Sequence, residues 1–105
     1  MAMSLRVEFP GAIYHVTVRM VGSWAEDRGR LFRGRGDYER LMERLSERVQ
    51  DFDIRLYLFC LMANHFHLVL ETPRGNLVRF MHSLTTAYGT YYNLRHDRYG
   101  PVMGR

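Results

Sequence analysis

Two histidines, His65 and His67, are separated by one residue within LMANHFHLVLET, the segment at positions 61–72. Side chains alternate between the two faces of a β-strand, so a strand here directs both imidazoles to one face and Phe66 to the other. Two parallel imidazoles can hold one metal ion from one side, while phosphate and water oxygens complete the coordination of Mg or Mn. Without further context, histidines with structural partners in the core or on the surface are the more common explanation of such a pair.

The composition is that of a globular protein. The chain has 105 residues, 47% of them hydrophobic, which predicts a single domain over residues 1–105 with one modest core. No apolar run approaches the roughly 20 residues of a membrane-spanning helix, and the N-terminus lacks the apolar stretch of a signal peptide. The single cysteine, Cys60, argues against an internal disulfide or a thiolate cluster and is expected in the core. A cytoplasmic location is the resulting expectation.

The basic residues are all arginine, 15 in number, and the formal net charge is +4. Codon bias and phosphate binding both remain open as explanations, because the planar guanidinium fork matches phosphate oxygens. Residues 28–36, RGRLFRGRG, contain four of these arginines and no acidic residue. This segment is therefore expected to attract a polyanion with strong salt dependence.

Hydrophobic periodicity predicts five elements, in order a strand at 12–20, a helix after Asp37, a strand at 54–62, a strand at 65–71 and a helix after Asn76. Asp37 and Asn76 are expected to cap their helices by accepting hydrogen bonds from amides of the first turn. The strand at 54–62 is apolar almost throughout, which predicts a central strand covered on both faces.

This order of elements predicts an α+β fold, a ferredoxin-like split βαβ sandwich in which an antiparallel sheet carries two helices on one face. The final strand of that topology is expected to be short or missing. Because the last strand normally pairs beside the first, the edge of the strand at 13–20 should remain open to a partner, such as a second copy in a homodimer.

The segment LMANHFHLVLET resembles the histidine–hydrophobic–histidine (HUH) motif of single-strand DNA nucleases. More narrowly, it resembles the single-tyrosine transposases of insertion sequences, including relatives associated with repetitive extragenic palindromes. RVEFPGAIYHVTVR resembles the opening strand of that family, LFRGRGDYERLMERL its entry to the first helix, and GNLVRFMHSLTTAYGTYYNLRHDRYG its helix after the motif. Together these segments cover nearly all of residues 6–100, in the same order and spacing.

The resemblance implies a DNA transposition and recombination enzyme that binds single-stranded or hairpin DNA. In the intact family, residues matching His65 and His67 hold a divalent Mg or Mn ion that polarises a scissile phosphate. A tyrosine hydroxyl then attacks, and the resulting phosphotyrosine link allows the strand to be rejoined. Charge and position make the following arginines the candidates for DNA contact: Arg19, Arg28, Arg30, Arg33, Arg35, Arg79 and Arg95. The last two are equally explained as solvent-facing residues.

The nucleophilic tyrosine is the point at which this sequence departs from the family. In the family it lies on a helix beyond the last strand, and this sequence stops about where that strand begins. Tyr92 and Tyr99 are the fallback candidates, because they are expected to be more exposed than Tyr88 and Tyr91, but neither matches the family position. A natural fragment, a decayed gene product and an artificially shortened chain all remain open.

Three functions remain open from the sequence. The first is a transposase-type domain, and the second is a nucleic-acid-binding module that has kept the fold and lost the chemistry. The third is a small ligand-binding or regulatory domain whose histidines are structural.

Overall fold

A computed structural model describes residues 8–21 and 29–104 as one sheet of four strands with two helices. The elements are β1 (Ala12–Met20), α1 (Arg35–Asp51), β2 (Arg55–Leu61), β3 (His65–Thr72), α2 (Leu77–Arg95) and β4 (Met103–Gly104). The strand order is β2-β3-β1-β4, and neighbouring strands are antiparallel. The α+β class and the ferredoxin-like order, with a short last strand beside the first, are confirmed.

The two central strands each bury one face against the helices. Every second residue of β3 is buried, from Phe66 through Leu68 to Leu70, and Val16 and Val18 of β1 are buried beside them. These side chains form one core with the apolar stripes of α1 and α2, so both helices cover the same face of the sheet. The other face of β1 and β3, which we call the open face, therefore carries the alternate residues.

The prediction that β2 is a central strand is wrong, because β2 lies at an edge of the sheet. Leu58 is 54% exposed and Phe59 is 44% exposed, and the pairing with β3 shifts between Leu56 and Leu58, which leaves Tyr57 as an extra residue. Cys60 is exposed as well, so the prediction of a core cysteine is also wrong. A continuous apolar run is typical of a strand buried on two sides, but it does not specify which strand has neighbours on both edges.

The predicted capping residues stand near the helix starts, but their side chains form other bonds. α1 begins at Arg35, and Asp37 within its first turn accepts a hydrogen bond from the Arg33 amide at 2.9 Å. Asn76 is the N-cap residue of α2, yet its side-chain amide donates to the carbonyl of Phe52 at 3.0 Å. The expected caps are therefore wrong in detail, because each side chain has a partner outside the first turn of its helix.

The outer edge of β1 is mostly open. Met103 and Gly104 of β4 pair only with Met20 and Arg19, and within the described ranges no strand pairs with the outer edge of residues 12–18. Among the described residues, pairing along this edge is thus confined to the last two residues of β1.

Candidate metal and nucleic-acid site

His65 and His67 both lie on the open face of the sheet. Each is partly buried, whereas Phe66 between them is fully buried on the core side. The centroids of the two imidazole rings are 4.9 Å apart, and the ring planes are nearly perpendicular at 87°. The alternation predicted for this strand is confirmed, and the two rings can meet one ligand from the same side.

Hydrogen bonds engage the same nitrogen of each ring. His65 Nδ1 lies 2.7 Å from Asn64 Oδ1, and His67 Nδ1 lies 3.0 Å from His15 Nε2 and 3.1 Å from Thr17 Oγ1. With the proton on Nδ1, each ring presents the lone pair of Nε2. Neither Nε2 has a hydrogen-bond partner among the residues that the structure describes. This arrangement is typical of histidines that ligate a metal through one nitrogen and are oriented through the other.

The electrostatic surroundings favour the neutral form of His67. Burial lowers the pKa of His67 from its ordinary value of 6.5, and the nearby His65, His15 and Arg19 lower it further through positive charge. A neutral imidazole is the form that binds a metal ion. His67 is consequently ready to act as a ligand at neutral pH.

The neighbouring strands complete a row of polar side chains across the open face. Thr17 stands directly opposite His67, and Arg19 stands directly opposite His65, while Cys60 of β2 is opposite His67 on the other side. Strand alternation puts His15, Thr17 and Arg19 on one polar face of β1, and the pairing of β1 with β3 places this face beside the histidines.

The donor set fits an open metal site rather than a closed structural one. Within residues 8–21 and 29–104, no group of three or more His, Cys, Asp or Glu side chains is arranged to hold a metal ion. His65 and His67 would therefore supply two nitrogens and leave the other positions to water and phosphate oxygens. Mg and Mn tolerate such a shell, whereas a structural zinc site needs four protein ligands.

Glu71 shares the open face with the histidines but is engaged elsewhere. It lies four residues beyond His67, roughly 13 Å away at about 3.3 Å per residue, and its carboxylate accepts a hydrogen bond from the Tyr57 hydroxyl. The contact with Tyr57 was not predictable, because it depends on the register shift in β2.

The two fallback tyrosines differ in environment. Tyr99 is 78% exposed, as expected, but Tyr92 is fully buried and the prediction of its exposure is wrong. The Tyr92 hydroxyl donates to the carbonyl of Arg30 and accepts from Arg33 Nε at 3.1 Å. Because α2 packs on the core face, Tyr92 and the histidine pair lie on opposite sides of the sheet.

A buried cluster around Asp37 was missed by the sequence analysis. Asp37 is 3% exposed, and its carboxylate accepts from the Arg33 amide at 2.9 Å and the Tyr91 hydroxyl at 2.6 Å, and contacts His96 Nε2 at 2.7 Å. Burial alone would raise the pKa of Asp37, but the hydrogen bonds from Tyr91, Arg33 and His96 outweigh it and lower the pKa from 3.8. The cluster holds the start of α1 against the end of α2.

Backbone hydrogen bonds hold residues 29–36, which we call the basic segment, against the hairpin of β2 and β3, which we call the histidine hairpin. The amides of Leu31 and Phe32 donate to the carbonyl of Ala63 at 2.8 and 3.1 Å, and the Met20 amide donates to the carbonyl of Asn64 at 3.0 Å. Ala63 and Asn64 form the turn immediately before β3. The segment that precedes α1 therefore lies against the turn that leads into His65 and His67.

The predicted DNA-binding arginines divide into two groups. In the first group, Arg19 on β1 stands opposite His65, and Arg30 and Arg35 belong to the segment tied to the turn. Arg33 belongs to the same segment, but its guanidinium contacts the Tyr92 hydroxyl on the core side of the sheet. Arg79 and Arg95 are exposed on α2, which lies on the other side of the sheet. Arg28 lies outside the described residues.

Comparison with known protein families gives a match that covers most of the chain. The family model described as "Transposase IS200 like" matches residues 12–102, a span that runs from the start of β1 to just before β4. A search of curated proteins found no match. No helix in the described part of the chain is long and apolar enough to cross a membrane.

Proposed function

The chain belongs to the family of IS200-like transposases, and on this basis we propose that it binds single-stranded or hairpin DNA over the open face of its sheet. We further propose that the intact protein cleaves and rejoins that DNA with the help of a divalent metal ion. The observation that carries the proposal is the pair of imidazoles, His65 and His67, whose Nδ1 atoms are engaged while both rings lie on the open face.

Each side chain of the row has a distinct part in this proposal. His65 and His67 would hold Mg or Mn, which when bound supplies Lewis-acid polarisation of a phosphate. His15 and Thr17 orient the ring of His67 through Nδ1, so that less freedom is lost when the ligand binds. Arg19, directly opposite His65, is placed to pair with a phosphate oxygen of the strand.

A second candidate function is DNA binding by the same fold without cleavage. It is favoured by the burial of two tyrosines of α2. The hydroxyls of Tyr88 and Tyr92 donate to backbone carbonyls within the core, those of Leu31 and Arg30 respectively. Burial also raises the pKa of Tyr88 far above its ordinary value. A nucleophile must be accessible and able to lose its proton. Of the two fallback tyrosines, Tyr92 is buried, so Tyr99 is the candidate that remains.

A homodimer through the open edge of β1 remains part of the proposal, as does a cytoplasmic location. Unpaired strand edges favour pairing with another chain, and residues 12–18 present such an edge within the described ranges. Sedimentation at several protein concentrations tests the idea: a monomer at every concentration, with and without DNA, contradicts it.

The decisive experiment compares binding and covalent capture of one DNA. A labelled hairpin oligonucleotide with single-stranded flanks is titrated with the protein in the presence and absence of Mn²⁺. The variants are the double substitution His65→Ala with His67→Ala, and His82→Ala, which removes an exposed histidine of α2 as the matched control.

Binding that Mn²⁺ strengthens in the wild type and in His82→Ala, but not in the double variant, supports the site. A denaturation-resistant protein–DNA adduct in the wild type supports cleavage, whereas binding without an adduct supports the second function. Failure of the wild type to bind the DNA at low salt contradicts both.

A further inference from the structure

A groove lies between the basic segment and the turn before β3. Its volume is about 440 Å³, within the range of small-ligand sites. We call it the arginine groove, and the residues that line it include Arg30, Phe32, Arg33, Arg35, Tyr38 and Ala63.

We propose that the arginine groove binds one nucleotide of single-stranded DNA that flanks the phosphate at the histidine pair. This inference rests on the proposed function and adds a second contact point to it, at which the DNA is selected by its unpaired base rather than only by its backbone.

The walls of the groove are held in place before any ligand arrives. The carbonyl of Ala63 accepts hydrogen bonds from the amides of Leu31 and Phe32. The hydroxyls of Tyr88 and Tyr92 donate to the carbonyls of Leu31 and Arg30. The Asp37 carboxylate accepts a hydrogen bond from the amide of Arg33, the next residue of the segment. Because the backbone is fixed from several directions, ligand binding loses little of its free energy to ordering the loop.

The chemistry of the lining matches a nucleotide. The rings of Phe32 and Tyr38 are stacked, with centroids 4.4 Å apart and planes at 15°, and Phe32 is only 2% exposed. Tyr38 is partly exposed and thus offers the aromatic surface on which an unpaired base can stack. A base inside a duplex is already stacked and paired, so this surface selects single strands.

The charge on the rim suits the phosphate of the same nucleotide. Arg30 is exposed on the rim, and Arg35 pairs with Glu39 at 2.9 Å, with both side chains largely exposed. Exposed ion pairs of this kind contribute little to stability, so a phosphate can replace Glu39 as the partner of Arg35. Guanidinium groups bind phosphate oxygens with a geometry that lysine does not match.

The groove is also close enough to the histidines to share one strand with them. Ala63 belongs to its lining and precedes His65 by two residues, roughly 7 Å at about 3.3 Å per residue. A short oligonucleotide on the open face can therefore reach the groove around the turn.

The test uses a labelled single-stranded dT oligonucleotide, an abasic strand of the same length and a duplex, each titrated at several salt concentrations. Arg30→Ala removes a rim charge, and Ala63→Leu fills the groove from an exposed position that keeps its backbone carbonyl. Arg74→Ala is the matched control, because it removes another exposed arginine, at the far end of β3. Circular dichroism checks that each variant is folded.

We expect Arg30→Ala to reduce the slope of log affinity against log salt by about 0.7, the value for one phosphate contact on a single strand. Ala63→Leu should weaken dT binding by about fivefold or more through loss of base stacking, leave the slope unchanged, and bind dT no better than the abasic strand. Arg74→Ala should match the wild type.

The inference is overturned if the wild type binds dT but both Arg30→Ala and Ala63→Leu bind it as the wild type does, or if the wild type binds the abasic strand or the duplex as tightly as dT. These outcomes leave the proposed function standing. Absence of any DNA binding by the wild type defeats the proposed function itself.

Discussion

Replacement of Asp37 by asparagine tests the cluster that holds the basic segment against α2. The carboxylate accepts from the Arg33 amide and the Tyr91 hydroxyl and contacts His96. The Asp37→Asn variant keeps the shape of the side chain, but it loses the charge and turns an NH₂ group toward groups that donate. Hydrogen bonds to a charged group contribute about 1.5–3 kcal/mol and neutral ones about 0.5–1.5 kcal/mol.

A loss of roughly 1 kcal/mol at each of these contacts lowers the free energy of unfolding by about 3 kcal/mol. For a domain of this size, each 1 kcal/mol shifts Tm by about 4–8 °C, so Tm should fall by roughly 12–24 °C. Urea unfolding followed by circular dichroism at neutral pH measures the free energy of unfolding, and thermal unfolding measures Tm. Glu39→Gln is the control, because its exposed pair with Arg35 should change stability by less than about 1 kcal/mol.

The pH dependence gives an independent check on the same variant. The pKa of Asp37 is lowered from 3.8 in the folded protein, so its stabilising contribution is complete above 3.8 and is lost as the pH falls through the folded value. The amide of the Asp37→Asn variant does not titrate, and the stability difference between wild type and variant should therefore narrow in acid. Equal stabilities at neutral pH, or a difference that stays constant in acid, would refute the role assigned to Asp37.

Two further predictions concern single contacts. Tyr88→Phe leaves the buried carbonyl of Leu31 without its hydroxyl donor, and it should lower the free energy of unfolding in urea by about 1–3 kcal/mol. The control, Thr86→Ala on the exposed side of α2, should leave stability nearly unchanged. An unchanged stability of Tyr88→Phe would contradict the contact. Arg19→Ala removes a positive charge that lowers the pKa of His67, so NMR titration should show a higher pKa for His67 in the variant. An unchanged pKa would contradict the proximity of the two side chains.

The parts of the fold that depend on local periodicity were predictable from the sequence. The two-residue alternation of β1 and β3 follows from which residues can be buried, and this alternation predicts that His65 and His67 lie on one face. The order of elements likewise predicted the sheet topology, including a short last strand beside the first.

The parts that depend on contacts between distant residues were not predictable. Asp37 looked like a helix cap, but its partners Tyr91 and His96 are 54 and 59 positions away. Tyr92 was expected to be exposed because Tyr88 and Tyr91 were assigned to the apolar stripe of α2. In the structure Tyr92 is buried, and its hydroxyl is satisfied by the Arg30 carbonyl and by Arg33. The apolar run of β2 predicted a central strand covered on both faces, whereas β2 is an edge strand with exposed apolar side chains. Hydrophobicity alone specifies neither the number of neighbouring strands nor which faces are covered.

The central claim is that His65 and His67 hold a divalent ion on the open face. The most direct measurement is a titration of the protein with Mn²⁺, followed by paramagnetic broadening of the histidine side-chain NMR signals. The account predicts that the signals of His65 and His67 broaden first and that those of His82 on α2 and His96 in the buried cluster persist. In the double alanine variant, the same Mn²⁺ concentrations should broaden none of the remaining histidine signals selectively. Broadening that is centred on His82 or spread evenly over the histidines, or no broadening at His65 and His67, would contradict the claim.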